Sequence, residues 1–252
     1  MNLLSGFLSN ESAFGRLMTR VGIIIAVNIL FALCTVPIIT IGEGYAAMYY
    51  AFMRCLRGDG VINPFIEYMK GFKENFLQAT IVWGMGLFLC GFLYVEYSWC
   101  SQFGGIFLYL RYGLLALGIV VIILTIYIFP VMAAFKGNLK KLFGNVIYFA
   151  FKKPLYLVTI LFFNIFPLVL TYSEPQNFPV YGFIWVTCGF GLVGMLTSYL
   201  LLQEFKPYLP MVDACGDIIE NPEDEAYWQD GDLSGITKSE KEILEEMKKL
   251  GM

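Results

Sequence analysis

Glu43 is the one residue in the first third of the chain whose type and setting could do chemistry inside a membrane. It stands between two glycines in CTVPIITIGEGYAAMYYAF, residues 34–52, and is the sole acid of the long N-terminal apolar run. A carboxylate in such surroundings is costly, and could handle a proton or bind a ligand. At the polar tip of a turn it would instead reach headgroups or accept bonds from helix-start amides. Asn28, in IAVNILF, is the other polar group of that run, and an amide there usually bonds across to a neighbouring helix. Glu96 and Arg111 could pair across a second hairpin, but a surface pair of this kind contributes only about 0–1 kcal/mol.

Other chemistry is thinly represented. The chain has no histidine, which removes the commonest general base and metal ligand. GxxxxGK[ST], HExxH and GxSxG are absent, as are paired intramembrane aspartates. Six cysteines, Cys34, Cys55, Cys90, Cys100, Cys188 and Cys215, are scattered singly and read as small buried hydrophobes with free thiols. No catalytic, cofactor-binding or metal-binding residue is expected, and the chain is read as a non-enzyme.

The elements that would position Glu43 and Asn28 are membrane helices. Of 252 residues, 58% are hydrophobic and 15% charged, whereas soluble domains run at about 45–50% apolar and about 25% charged. Five apolar stretches approach the roughly 20 residues that cross the hydrocarbon layer: Val21–Ile41, Ala79–Val95, Leu114–Phe135, Leu155–Tyr172 and Val180–Leu202. The N-terminus lacks the pattern of a cleaved signal peptide, so the first span is expected to do the targeting. The fold expected is all-α, a polytopic bundle of five to six membrane segments with amphipathic interfacial helices.

Charge orients the spans, because loops rich in Lys and Arg stay in the cytoplasm. Lys136, Lys140, Lys141, Lys152 and Lys153 mark one inner loop; Arg54, Arg57, Lys70 and Lys73 mark another. Arg16 and Arg20 also belong inside, so the chain should turn back between Arg20 and Arg54. Those arginines bracket about 33 residues, roughly 50 Å of helix, a little short of two full crossings. Pro37 should break the first helix, and Gly42 and Gly44 should form the hinge. The favoured arrangement is a hairpin turned at TIGEG, with six segments and both termini cytoplasmic. The competing one has five spans, an external N-terminus and a membrane-surface helix from Gly44 to Arg57.

FIEYMKGFKENFLQATIVW, from Phe65, and GNVIYFAFKKPLYLVTILF, from Gly144, read alike. Each sets an amphipathic aromatic piece and an FK pair before a span, as an interfacial helix feeding a membrane helix would. Residues 1–205 are therefore taken as the membrane domain. Residues 206–252 form a cytoplasmic tail with 12 acidic and 5 basic residues, against 12 basic and 8 acidic before it. In the tail TKSEKEILEEMKKL has the acids-first, lysines-last order of a helix, with Ile243, Met247 and Leu250 on one face. It could be a solvated end or a docking helix.

NILFALCTVPIITIGEGYAAMYYAFMRCLRG followed by NPFIEYMKGFKENFLQATIVW resembles the YesL family, small integral membrane proteins of Gram-positive bacteria with a domain of unknown function. The resemblance covers about residues 12 to 85 and rests on Asn28, Leu30, Cys34, Pro37, Thr40, Ile41, Gly42, Tyr49, Tyr50, Arg54, Phe65, Phe72, Lys73, Glu74, Asn75, Phe76, Ala79, Thr80 and Trp83. Where the family usually has a small residue after TIG, this chain has Glu43, which argues against a shared catalytic role. The candidate functional or structural motif comprises Asn28, Pro37, Thr40, Gly42, Glu43, Gly44, Arg54, Phe72, Lys73, Glu74 and Asn75. YesL-like proteins tend to be encoded beside sugar ABC importers and two-component regulators. The resemblance thus implies an accessory role in carbohydrate uptake or its control, with the bilayer and an importer permease or sensor subunit as partners and no nucleic acid. The alternative is an autonomous small-solute transporter or channel. A divergent permease subunit is disfavoured by the lack of an EAA-type loop.

Overall fold

The computed structural model describes residues 13–57, 63–103, 105–135 and 137–209. Among them the chain is helical with no strand. The order is α1 (Ala13–Cys34), α2 (Ile41–Arg57), α3 (Pro64–Cys100), α4 (Ile106–Ala134), α5 (Leu139–Lys152) and α6 (Pro154–Ser173). After these, α7 (Phe178–Ile184) runs through a π-helical turn (Trp185–Gly189) into α8 (Phe190–Phe205). Among the described residues, five stretches are long and apolar enough to cross a membrane: Leu17–Cys34, Pro64–Cys100, Tyr109–Ala134, Pro154–Ser173 and Pro175–Tyr208. The all-α multi-pass bundle expected from composition is the observed fold.

The sixth segment, α2, differs from both expectations. It is neither a lipid-facing crossing nor a surface helix, but the middle of the bundle. Gly42, Glu43, Gly44, Ala46, Ala47, Met48, Tyr49, Ala51, Phe52 and Met53 are buried on it, positions that cover most of its circumference. Small residues at 42, 44, 46, 47 and 51 let neighbouring backbones approach closely, which is how membrane helices gain packing contact. Helices α1, α3, α4 and α8 enclose it. It runs antiparallel to α3, with Gly42 against Ala79 and Trp83, Tyr50 against Gly71, and Arg54 against Glu67.

The interfacial helix and span expected around residues 65–95 are one element. Asn63 caps it, its Oδ1 accepting from the Phe65 amide at 3.0 Å, and Pro64 occupies the first turn, where its missing N–H costs nothing. At 37 residues α3 is about 55 Å long, well beyond the roughly 30 Å hydrocarbon layer. The similar stretch after Gly144 folds differently. There α5 ends at Lys152, Lys153 takes an extended φ of −133°, and α6 starts at Pro154. A residue before proline is pushed out of the helical region, so this break is local chemistry. The likeness of the two stretches does not extend to their structure.

Helix α5 buries Leu142, Asn145, Val146, Phe149 and Ala150. Phe149 packs on Phe135, Phe205 and Tyr208 with ring centroids 5.4, 4.6 and 5.5 Å away, fastening α5 to the end of α8. Lys152 donates to the Tyr208 hydroxyl and lies 4.3 Å over its ring. At the opposite turn, Asn177 and Tyr181 both donate to Glu174 Oε2, at 2.8 and 2.7 Å, and hold that carboxyl below the usual carboxylate range. Arg111 does not pair with Glu96: its guanidinium donates to the Tyr97 hydroxyl and lies 4.6 Å over that ring. Five cysteines of the described residues are free thiols. Cys215 and the TKSEKEILEEMKKL segment lie outside the described residues.

Candidate functional site

Thr35, Pro37, Thr40 and Glu43 meet Thr80 and Trp83 of α3 at the α1–α2 hairpin. Helix α1 stops because Pro37 can neither donate nor accommodate a helical residue before it. The exposed ends are then satisfied locally. Thr35 donates through its amide and its hydroxyl to Phe31 O at 2.9 and 2.7 Å. The Thr40 hydroxyl lies 2.6 Å from Cys34 O and 2.8 Å from Pro37 O, and the Trp83 indole donates to Ile38 O at 2.8 Å. The chain doubles back here: Phe31 stacks on Tyr45 at 4.8 Å, while Asn28 and Met48 reach the same stretch of α8 at Gly191 and Gly194.

The hairpin was therefore anticipated, but its apex was misplaced. The reversal occupies residues 35–40, and Gly42, Glu43 and Gly44 lie inside the first turn of α2. Their glycines serve close approach. A Cβ on Gly42 would stand 2.6 Å from Trp83 Cβ and 2.8 Å from Ala79 O, and one on Gly44 would stand 2.5 Å from Thr35 Cγ2. Val36, Pro37, Ile38 and Ile39 are the exposed residues of the turn, each apolar, as suits contact with lipid.

Glu43 is fully buried. Thr80 on α3 donates to its Oε1, and Oε2 has no hydrogen-bond partner among the described residues. The same Thr80 hydroxyl also lies 2.8 Å from Phe76 O, so one proton serves two acceptors. A lone carboxylate in such a place opposes folding when ionised, because nothing compensates its lost hydration. Glu43→Gln keeps the shape and the Thr80 contact without the charge. We expect it to fold, with a thermal midpoint in detergent at pH 7.5 equal to or above that of the parent. A midpoint several degrees lower would show that the carboxylate itself holds the hairpin.

Asn28 makes the most complete contact in the bundle. Its Nδ2 donates to Trp185 O at 3.1 Å and Val186 O at 2.6 Å, and its Oδ1 accepts from the Gly191 amide at 2.7 Å. All three partners lie in or just after the π-helical turn, where the ladder shifts by one residue and leaves backbone groups without an ordinary helical partner. Gly191 permits the approach, since a Cβ there would stand 2.8 Å from Ile24 O.

The remaining motif residues are not brought to the hairpin. Arg54 pairs with Glu67 at 3.3 Å where α2 ends and α3 begins. Phe72 stacks between Tyr68 and Phe76, Lys73 and Glu74 are exposed, and Asn75 donates to Gly71 O in its own helix. Conversely, Thr80, Trp83 and Trp185 belong to the hairpin's surroundings and were not singled out as site residues. The i, i+3, i+4 spacing of Phe76, Ala79, Thr80 and Trp83, all positions of the family resemblance, carried that signal.

Chemically, the arrangement joins helices. One acid is bonded to one hydroxyl, one amide is fully engaged by backbone, and among the described residues no three His, Cys, Asp or Glu side chains cluster as a metal site would need. No curated protein and no solved structure matches the chain. A family model does match, that of a protein of unknown function, DUF624, over residues 24–97, which take in the second half of α1, all of α2 and most of α3. The residues that build the hairpin, its Thr80 and Trp83 partners and the Arg54–Glu67 pair all fall within it. Over those residues the chain is similar to DUF624, the domain of YesL-type small membrane proteins.

Proposed function

We propose that the protein is a non-enzymatic accessory subunit of the cell membrane, serving carbohydrate uptake by an ABC importer or the control of that uptake. The observation that carries the accessory reading is how polarity is distributed. Inside the bundle, Asn28, Thr80, Trp83, Asn164 and Trp185 donate to groups of the protein itself. Outward, the beginning of α3 presents Phe65 and Ile66 with Lys70 and Lys73, and the outer face of α5 presents Ile147 and Phe151. Such a basic and aromatic shelf suits a partner or the headgroup layer more than it suits passage of solute. The carbohydrate link comes from the YesL resemblance alone. Charge placement argues for both termini in the cytoplasm, which puts the shelf there too.

Cross-linking in native membranes, followed by affinity purification and mass spectrometry, tests this. Recovery of importer permease or sensor subunits, together with impaired sugar uptake on deletion, is expected. Recovery of the protein alone, with uptake unchanged, would overturn it. A second reading, an autonomous transporter or channel, draws on the unpartnered Oε2 of Glu43 beside a broken helix. Solute flux in reconstituted vesicles that Glu43→Gln abolishes would favour it.

A further inference from the structure

A cavity of about 290 Å³ lies between α2, α3, α4, α6 and α8. That is close to the lower end, about 300 Å³, of the range for small-molecule sites. Its inner wall is aromatic: Tyr45 and Trp83 pack on Phe129 at 6.0 and 6.4 Å, and Trp185 packs on Phe190 at 4.7 Å. Its outer rim is formed by Ile122 on α4 and by Ile165 and Leu168 on α6, which are 46%, 40% and 52% exposed. All three sit near the middle of apolar spans, so the mouth opens sideways toward hydrocarbon at mid-membrane depth, not toward water.

The polar atoms around the cavity decide what it can hold. Asn164 Nδ2 donates to Ile160 O at 2.9 Å and to Thr197 Oγ1 at 3.1 Å, and Thr125 donates to Val121 O at 2.8 Å. The indoles of Trp83 and Trp185 donate to Ile38 O and to Thr171 Oγ1. With those donors engaged inside the protein, the hydroxyls of Tyr45 and Tyr49 are the remaining donors of the lining, too few for a hydroxyl-rich ligand such as a sugar, which would leave buried groups unpaired. A flexible apolar chain needs none of them, and gains dispersion contact with close-packed rings.

We infer that this cavity binds the hydrocarbon chain of a membrane phospholipid, which enters laterally between α4 and α6. The occupant is independent of any importer partner, so its absence would leave the accessory reading standing. Trp83 and Trp185 line the cavity and provide the readout once Trp99 and Trp228 are replaced by phenylalanine in the full chain. Reconstituted into phosphatidylglycerol brominated at mid-chain, this protein is expected to show strong quenching of tryptophan emission. Ile122→Phe combined with Leu168→Phe should fill the mouth and lose that quenching. Val169→Phe, on an exposed α6 position outside the cavity lining, should retain it. Quenching that survives the filled mouth, or is lost equally with Val169→Phe, would overturn the inference, because ordinary boundary lipid then accounts for it. Should the double variant fail to fold, native mass spectrometry of the parent decides instead. A phospholipid adduct that persists through exhaustive detergent exchange supports the cavity, and a bare protein refutes it.

Discussion

Asn28→Leu should destabilise the bundle by about 2 kcal/mol, the sum expected for three interhelical bonds in a membrane at about 0.6 kcal/mol each. Leucine keeps the branching of asparagine but is larger, so crowding against Val186 O and the Gly191 amide adds to the lost hydrogen bonding and makes this figure a lower bound. Its effect falls on backbone atoms more than 150 residues away, Trp185 O, Val186 O and the Gly191 amide. Unfolding in mixed micelles, followed by circular dichroism, gives the measurement. Asn28→Asp separates the components: it keeps the acceptor for Gly191 and loses both donors, and should fall below leucine because it also brings a buried charge. If Asn28→Leu unfolds at the same denaturant fraction as the parent, the π-helical turn must be satisfied by other means.

Gly42→Val should have the largest effect of any single change in the hairpin. A Cβ at this position already meets Trp83 Cβ and Ala79 O at 2.6 and 2.8 Å, and Phe129 Cε1 at 3.2 Å. The first contacts are a Cβ and a backbone oxygen, which cannot swing aside as a side-chain tip would. Helices α2 and α3 would have to separate, dragging Thr80 from Glu43 and the Trp83 indole from Ile38 O. Overpacking of a well-filled core costs about 1–3 kcal/mol, and here it is compounded by the bonds that move with it. Fluorescence-detected gel filtration of a tagged protein should show little or no monodisperse peak. Gly22→Val, at a position where a Cβ meets nothing within 4 Å, serves as the control and should run like the parent.

These expectations also mark where the sequence was readable. Spans, class and the reversal between Arg20 and Arg54 follow from composition and charge, because lipid solvation and the positive-inside bias act on each segment alone. Pro37 as a helix terminator is equally local. The roles of Gly42 and Gly44 were not local: a glycine in a hinge and a glycine under a neighbouring helix look the same until the neighbour is placed. The stretch up to Arg57 reads as a second passage or, from Gly44, as a surface helix, because Arg54 and Arg57 must lie on the same side as Arg16 and Arg20. The burial of α2 depends on α1, α3, α4 and α8 closing around small residues, which no single-segment pattern encodes. Asn28 was legible as a donor to some other helix, while the irregular turn that receives it was not.

The π-helical turn has a consequence for how the last span is phased. One surplus residue in a helix offsets everything after it by about 100° relative to an uninterrupted α-helix. Gly191, Gly194, Thr197 and Leu201 are buried on α8 in that offset orientation. Deleting a single residue from Trp185–Gly189 would restore regular winding and rotate this whole face by more than a quarter of a circle, carrying the two glycines away from Asn28 and Met48. The span would still be apolar and still long enough to cross. Its insertion into the bilayer would be intact, and its fit against α1 and α2 would be lost.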